Sequence, residues 1–224
     1  MNKGNPDPEI FKLGTPMSSF ASKKNRVVLL DPDPATGWTE PVILKSYPNA
    51  QRKEYEVRIL DMLVGKVPVP QVLLSGVDYL VLSYVRGDNL ADWLQMEEAK
   101  HAPMVSDAVR WTMTALLDWL VDFYTTIGQV FGDELIMGDI NLRNFLVGEG
   151  ITGIDFEDVC KGDQATDIGG IAAYILTYDP GFTPWKHQVV AWWIDTAARR
   201  FNLERGIIEA EMDLELQRMQ LRRA

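Results

Sequence analysis

The sequence is poor in the residues that carry redox and soft-metal chemistry. A single cysteine, Cys160, and two histidines, His101 and His187, stand among 224 residues, which excludes a disulfide framework, a four-ligand Cys/His zinc site and most Cys–His nucleophile pairs. Chemistry here has to run on carboxylates, lysine, arginine and amides. Long apolar runs are missing as well. No stretch offers the ~18 uncharged apolar residues that a spanning helix needs, and Met1 to Pro8 has no apolar signal core, so a cytoplasmic protein with no membrane partner is expected. Positive charge is in the minority: 22 Lys and Arg face 32 Asp and Glu, for a formal net charge of -10. Long-range repulsion therefore argues against direct nucleic-acid binding. What remains is a globular composition, 46% hydrophobic and 24% charged, sized for one large domain or two small lobes.

Strand-like runs come first. Ile10 to Leu13, Lys23 to Leu30 and Pro41 to Tyr47 read as strands, with the turn-rich Asp31 to Glu40 as a hairpin connection. Gln51 to Val64 places Tyr55, Ile59, Met62 and Leu63 at helical spacing, and Pro68 and Pro70 stop any continuation. Val72 to Leu74 and Tyr79 to Tyr84 complete about five strands around one helix. From Asn89 the character changes to helices: a short one starting at Leu90, a long one over Ser106 to Ile127 with Ser106 as cap, and three more over about Ile168 to Leu176, Lys186 to Phe201 and Arg205 to Arg222. Two short strands, Phe145 to Val147 and Ile151 to Ile154, interrupt them. Trp111, Trp119, Trp192 and Trp193 lie on apolar-rich helices and are expected in the core.

The most informative stretch is Met137 to Phe156, MGDINLRNFLVGEGITGIDF. Asp139 is followed five residues later by Asn144, then by a short hairpin, then by Asp155 and Phe156. Lys45 on the third strand and Glu56 on the following helix complete an ordered set, with Glu54 as a less well spaced alternative. This set resembles the protein-kinase-like superfamily. Within it the Asp155-Phe-Glu-Asp158 run, with Gly162-Asp163 and Asp167-Ile168 beyond, is most similar to aminoglycoside and choline kinase-like phosphotransferases. The short chain and the Val67-Pro68-Val69-Pro70 spacing also look like the small atypical kinases of the tRNA threonylcarbamoyl machinery. Two departures stand out: Met137 replaces the usual His before Gly-Asp, and the nucleotide-covering segment Leu13 to Ala21 has one glycine, Gly14.

The resemblance implies an α+β, two-lobed kinase-like fold. Its N-terminal lobe (1–84) would be a five-stranded antiparallel sheet with one helix, joined by a hinge (85–88) to a mainly helical catalytic lobe (89–224). It further implies ATP and Mg²⁺ as cofactors. Asp139 would be the base or orienting acid, Asn144 and Asp155 the metal ligands, Lys45 the grip on the phosphates and Glu56 its holder. Gly14 and Ser18 would offer donors to phosphate, Ser83 and Tyr84 the backbone edge that reads adenine, and Asp167 would tie down the catalytic-loop backbone. The expected activity is transfer of the γ-phosphate to the hydroxyl of a small molecule. Asp88, Asp92, Glu157, Asp158 and Asp163 suggest that the acceptor is cationic. The alternatives are a compact atypical Ser/Thr protein kinase or ATPase working with a protein partner, and a nucleotide-binding pseudokinase.

Overall fold

The computed structural model describes residues 13–20, 22, 24–31, 38–131 and 134–223. The described chain folds as two compact units: the stretch up to Asp61 together with Pro70–Val85, and Met62–Val69 together with everything from Arg86 onward.

The smaller unit is a sheet with one helix. β1 (Thr15–Phe20), β2 (Arg26–Asp31) and β3 (Val42–Ser46) come first, then α1 (Ala50–Leu63), then β4 (Val72–Ser75) and β5 (Tyr79–Ser83). All neighbours pair antiparallel in the order β1-β2-β3-β5-β4. Period-two alternation explains the packing: Val28 and Leu30 of β2, Val42 and Leu44 of β3 and Val81 of β5 form one buried cluster. The strand expected over Ile10 to Leu13 falls, as far as Lys12, outside the described residues, as do Lys23 and most of the Asp31 to Glu40 connection.

One difference concerns the segment expected to cover a nucleotide. Thr15 to Phe20 is a strand, the exposed edge of the sheet, although Thr, Pro and Ser give it the composition of a turn. Pro16 is tolerated because it sits beside a register shift on an edge strand, where a missing N–H costs no interior ladder bond.

The larger unit is mostly helical. β6 (Asp88–Asn89), α2 (Leu90–His101) and α3 (Asp107–Phe131) precede β7 (Leu135–Ile136), β8 (Phe145–Val147), β9 (Ile151–Gly153) and β10 (Cys160–Lys161); α4 (Gln164–Thr177), α5 (Pro184–Phe201) and α6 (Arg205–Arg223) follow. β8 and β9 form the expected hairpin and β6 adds to it, while β7 pairs with β10. Side-chain caps set several helix starts: Asn89 accepts from the Asp92 N–H, Ser106 from Val109, Asp163 from Ala165 and Thr183 from Lys186. The two-residue strands carry too little periodicity to be read from sequence.

α3 buries Val109, Met113, Leu116, Leu117, Leu120 and Phe123 along one face. Trp119 and Phe123 on that face stack with each other and with Phe156, and Trp119 meets Phe145 edge-on. Trp119 and Trp193 are buried as expected. Trp111 is not: it is 77% exposed, because its position lies across the helix from the buried stripe. No helix among the described residues is long and apolar enough to cross a membrane.

Candidate active site

In the smaller unit one strand and one helix create a buried ion pair. Leu44 and Lys45 point to opposite faces of β3, and the face that takes Lys45 also takes Tyr47. Glu56 lies on the α1 stripe that buries Ile59, Leu60 and Leu63, whereas Glu54 is exposed. Lys45 Nζ reaches Glu56 Oε2 at 2.6 Å, with the two residues 5% and 1% exposed. Tyr47 donates its hydroxyl to the same carboxylate oxygen at 2.7 Å, and the Lys45 ammonium lies 5.1 Å from the Tyr47 ring centroid. A lysine held this way is a fixed point charge, the arrangement needed to grip a polyanion.

The other residues assigned to nucleotide binding in this unit are dispersed along the sheet. Gly14 sits at the open end of the β1–β2 hairpin. Its φ of +144° and an ideal Cβ only 2.5 Å from the Asp31 carbonyl oxygen explain why glycine is required there. Ser18 lies mid-strand opposite Leu29. The turn between the two strands is closed instead by Ser22, whose hydroxyl accepts from the Asn25 N–H at 3.1 Å and the Lys24 N–H at 3.4 Å. Sequence reading passed over it, although Ser-x-x-Asn is a recognisable turn former. Ser83 ends β5; its N–H is taken by the Gln71 carbonyl at 2.9 Å and its hydroxyl accepts the Gln71 N–H at 2.9 Å.

In the larger unit the loop from Met137 to Asn144 is fastened at both ends. At the entry, Asp167 of α4 accepts the Met137 N–H at 2.8 Å, the Tyr124 hydroxyl at 3.0 Å and the Gly138 N–H. Burial pushes the Asp167 carboxyl up to about 6, and these three donors pull against that shift. Tyr124 is raised well above its ordinary value by the same burial and by the Asp167 charge. Met137 is fully buried, so the loop is secured through its backbone and packing without the histidine that the resemblance leads one to expect. Gly138 has φ +74°, and a Cβ there would run into the Asp158 carbonyl, so only glycine turns the chain at this point.

Beyond Asp139 the fastening continues. The Asn144 side-chain amide donates to the Asp139 carbonyl at 2.9 Å, and the Asn144 carbonyl accepts from the Ile154 N–H at 2.8 Å. The second bond sets Asp155, one residue on and in a left-handed conformation at φ +67°, beside the loop. Asp139, Asn144 and Asp155 are thus brought to one place by the loop and the β8–β9 hairpin. Asn141 accepts from the Arg143 N–H at 2.9 Å and from the Tyr178 hydroxyl at 2.6 Å. Arg143 pairs with Asp92 at 3.1 Å and lies 5.7 Å from the Tyr178 ring centroid. Tyr178 carried no sequence signal, because nothing in a lone tyrosine after an apolar helix points back to a loop more than thirty residues earlier.

Two of the acids expected around this loop have structural partners. Asp92 holds Arg143, and Asp163 caps α4. As a donor set for a hard divalent cation, Asn144 and Asp155 fit: the Asn144 Nδ2 is engaged with the Asp139 carbonyl, which turns its Oδ1 into the ligand atom, and Asp155 adds a carboxylate.

No known family pattern and no curated protein matches the chain by sequence. Solved structures do match. The kinase PK-1 of Cydia pomonella granulovirus superposes with a TM-score of 0.52 at 14% identity, over 68% of this chain and 57% of that one, so this chain spans a little over half the viral kinase's length. APH(2")-IIa, an aminoglycoside phosphotransferase solved as a ternary complex with streptomycin and ATP, superposes with a TM-score of 0.50 at 13% identity, over 94% of this chain and 88% of that one. At such identities the likeness speaks for the fold. A five-stranded antiparallel sheet carrying one helix, then a mainly helical part built around the Asp139 loop, gives this chain a protein-kinase-like fold.

Proposed function

We propose that this protein is an ATP-dependent phosphotransferase that moves the γ-phosphate to a hydroxyl of a small molecule. The observation that carries the reading is the fastening of Asp139. Its backbone is tied to Asn144, the loop entry to Asp167, and Asp155 is set alongside through the Ile154 N–H. A loop without chemical work needs no such density of specific bonds around an acid that stays half-buried. Asp139 orients the acceptor hydroxyl and takes its proton. Asn144 and Asp155 hold Mg²⁺, which when bound neutralises phosphate charge. Lys45, fixed by Glu56 and Tyr47, grips phosphate oxygens. The Ser83 carbonyl and the Tyr84 backbone read adenine. Phosphoryl transfer asks the protein mainly for positioning and charge stabilisation, and a rigid loop supplies both.

The test is release of ADP from Mg·ATP with a panel of hydroxyl compounds, repeated with Asp139→Ala, alongside calorimetric titration of a nonhydrolysable ATP analogue with and without Mg²⁺. The reading expects acceptor-stimulated turnover that Asp139→Ala removes, and nucleotide binding that needs Mg²⁺. Equal nucleotide affinity with and without Mg²⁺ would remove Asn144 and Asp155 from metal binding. Binding with no turnover on any small or protein acceptor would favour the nucleotide-binding module, a second reading supported by Gly14 lying away from the β1–β2 turn.

A further inference from the structure

α6 has two apolar faces. One packs against α4 and buries Ile208 and Met219. The other carries Ile207, Leu214 and Leu221, spaced by seven residues and 45%, 43% and 78% exposed. Seven residues are nearly two full turns, so these side chains form one narrow stripe along about 21 Å of helix axis. A surface helix of a self-contained domain needs only the stripe that faces its core, and here a second one is left in water. The charges of α6 are sorted along its length: Glu209, Glu211, Asp213 and Glu215 precede Arg218, Arg222 and Arg223. With Arg205 the helix carries four acids and four arginines and sums to zero, in a chain of net charge -10. Glu211 and Arg218 lie along one flank of the exposed stripe, and the uncharged Ala210 and Gln217 along the other. Arg218 is 52% exposed and its contact with Glu215 is a long 3.5 Å. Among the described residues no ion pair engages Glu211.

We infer that α6 is the contact face of a homodimer, in which the stripe of Ile207, Leu214 and Leu221 packs antiparallel against the same stripe of a second copy about a two-fold axis at Leu214. A two-fold contact has to be self-complementary, since whatever one copy offers it also receives. About Leu214 the apolar residues match: Leu214 meets the partner's Leu214, and Ile207 meets the partner's Leu221. The charges match as well. Position 211 falls opposite 217 and position 218 opposite 210, so Glu211 comes within one residue of the partner's Arg218, and Arg218 within one residue of the partner's Glu211. The acidic part of each helix then lies along the basic end of the other, and the two helix dipoles oppose. Parallel packing would lay acidic block on acidic block and align the dipoles. On the uncharged flank the small Ala210 lets the backbones approach without repulsion. A second copy is the favoured occupant because the charge order of α6, reversed, is its own complement. The net charge of -10 repels two copies at long range, and a pair of helices about 28 Å long buries less than the roughly 800 Å² per partner of a standard interface. Both terms set the association in the micromolar range. This surface is independent of the phosphotransferase reading.

The experiment is sedimentation equilibrium of the full chain from about 1 to 300 µM, a range that brackets a weak interface. A reversible monomer–dimer equilibrium is expected for the wild type. Leu214→Glu sets two like charges against each other on the two-fold and is expected to weaken dimerisation about a hundredfold, leaving monomer throughout. Glu211→Arg and Arg218→Glu each bring like charges face to face and are expected to weaken it about tenfold. An equimolar mixture of those two variants should dimerise again, because each then supplies the charge that the other lacks. Recovery on mixing separates a contact between copies from damage within one copy, and thermal melts of the dilute variants should match the wild type because all three positions lie outside the core. A wild type that stays monomeric over the whole range overturns the inference, as does a dimer that withstands Leu214→Glu. Weak dimers of both charge variants that do not recover on mixing overturn the antiparallel pairing.

Discussion

The two units hold their polar machinery in opposite ways. In the smaller unit, Lys45 and Glu56 meet because a regular strand and a regular helix present them, and the pair is sealed from water at 5% and 1% exposure. In the larger unit, Asp139, Asn144 and Asp155 sit on irregular backbone, left-handed at Gly138 and Asp155, and are held by hydrogen bonds from distant residues such as Asp167 and Tyr178. The contrast teaches that a fixed point charge can be supplied by regular elements, whereas three polar side chains gathered on one loop and the hairpin after it require the chain to leave its regular forms and be pinned there.

Breaking the periodic side should cost the most stability. Glu56→Leu takes the Glu56 carboxylate from the buried Lys45 and removes the Tyr47 acceptor, and is expected to cost about 3 to 5 kcal/mol in urea unfolding. The double variant Lys45→Met/Glu56→Leu should recover most of that loss, since removing both charges removes the desolvation problem. A double variant as unstable as the single one would mean that the pair is more than a paired burial.

On the irregular side, Asp167 gives a pH signature. Its folded pKa of about 6 lies above the ordinary 3.8 because of burial. The folded state therefore keeps a proton that the unfolded chain has released between those values. The resulting stabilisation is fully present below about 3.8 and is lost as pH rises through about 6. At about 1.4 kcal/mol per unit this amounts to about 3 kcal/mol. Unfolding free energies of wild type minus Asp167→Asn, measured from pH 4 to 8, should fall across that window and then level off. A flat difference would mean that the Met137, Gly138 and Tyr124 donors offset burial completely.

Asp139→Ala should lower turnover by ~10²-fold or more, as for a positioned acid or base, while the fold and nucleotide affinity persist. Asn144 is tied to the Asp139 backbone carbonyl and not to its side chain, so the loop survives the change. Turnover above about a tenth of wild type would assign the proton to another group. The smallest effect is expected at the loop's far fastening. Tyr178→Phe deletes the hydroxyl bond to Asn141 but keeps the ring beside Arg143, for about 1 kcal/mol of stability and about a fivefold fall in kcat. A change in nucleotide affinity instead would show that this bond serves something other than the loop.

The sequence by itself determined the strands β2 to β5 and all six helices to within a few residues, because alternation and three-four spacing are properties of consecutive residues. It also marked Lys45, Glu56, Asp139, Asn144 and Asp155 by their order along the chain. Tertiary structure alone decided the rest. β1 declared itself only by pairing with β2 in spite of its turn-like composition, and the two-residue strands β6, β7 and β10 exist only as partners of β8 or of each other. The fastening of the loop by Asp167 and Tyr178 joins residues from separate helices and loops. Hydrogen bonds and charges act through space, and their partners are chosen only once hydrophobic packing has brought distant segments into contact.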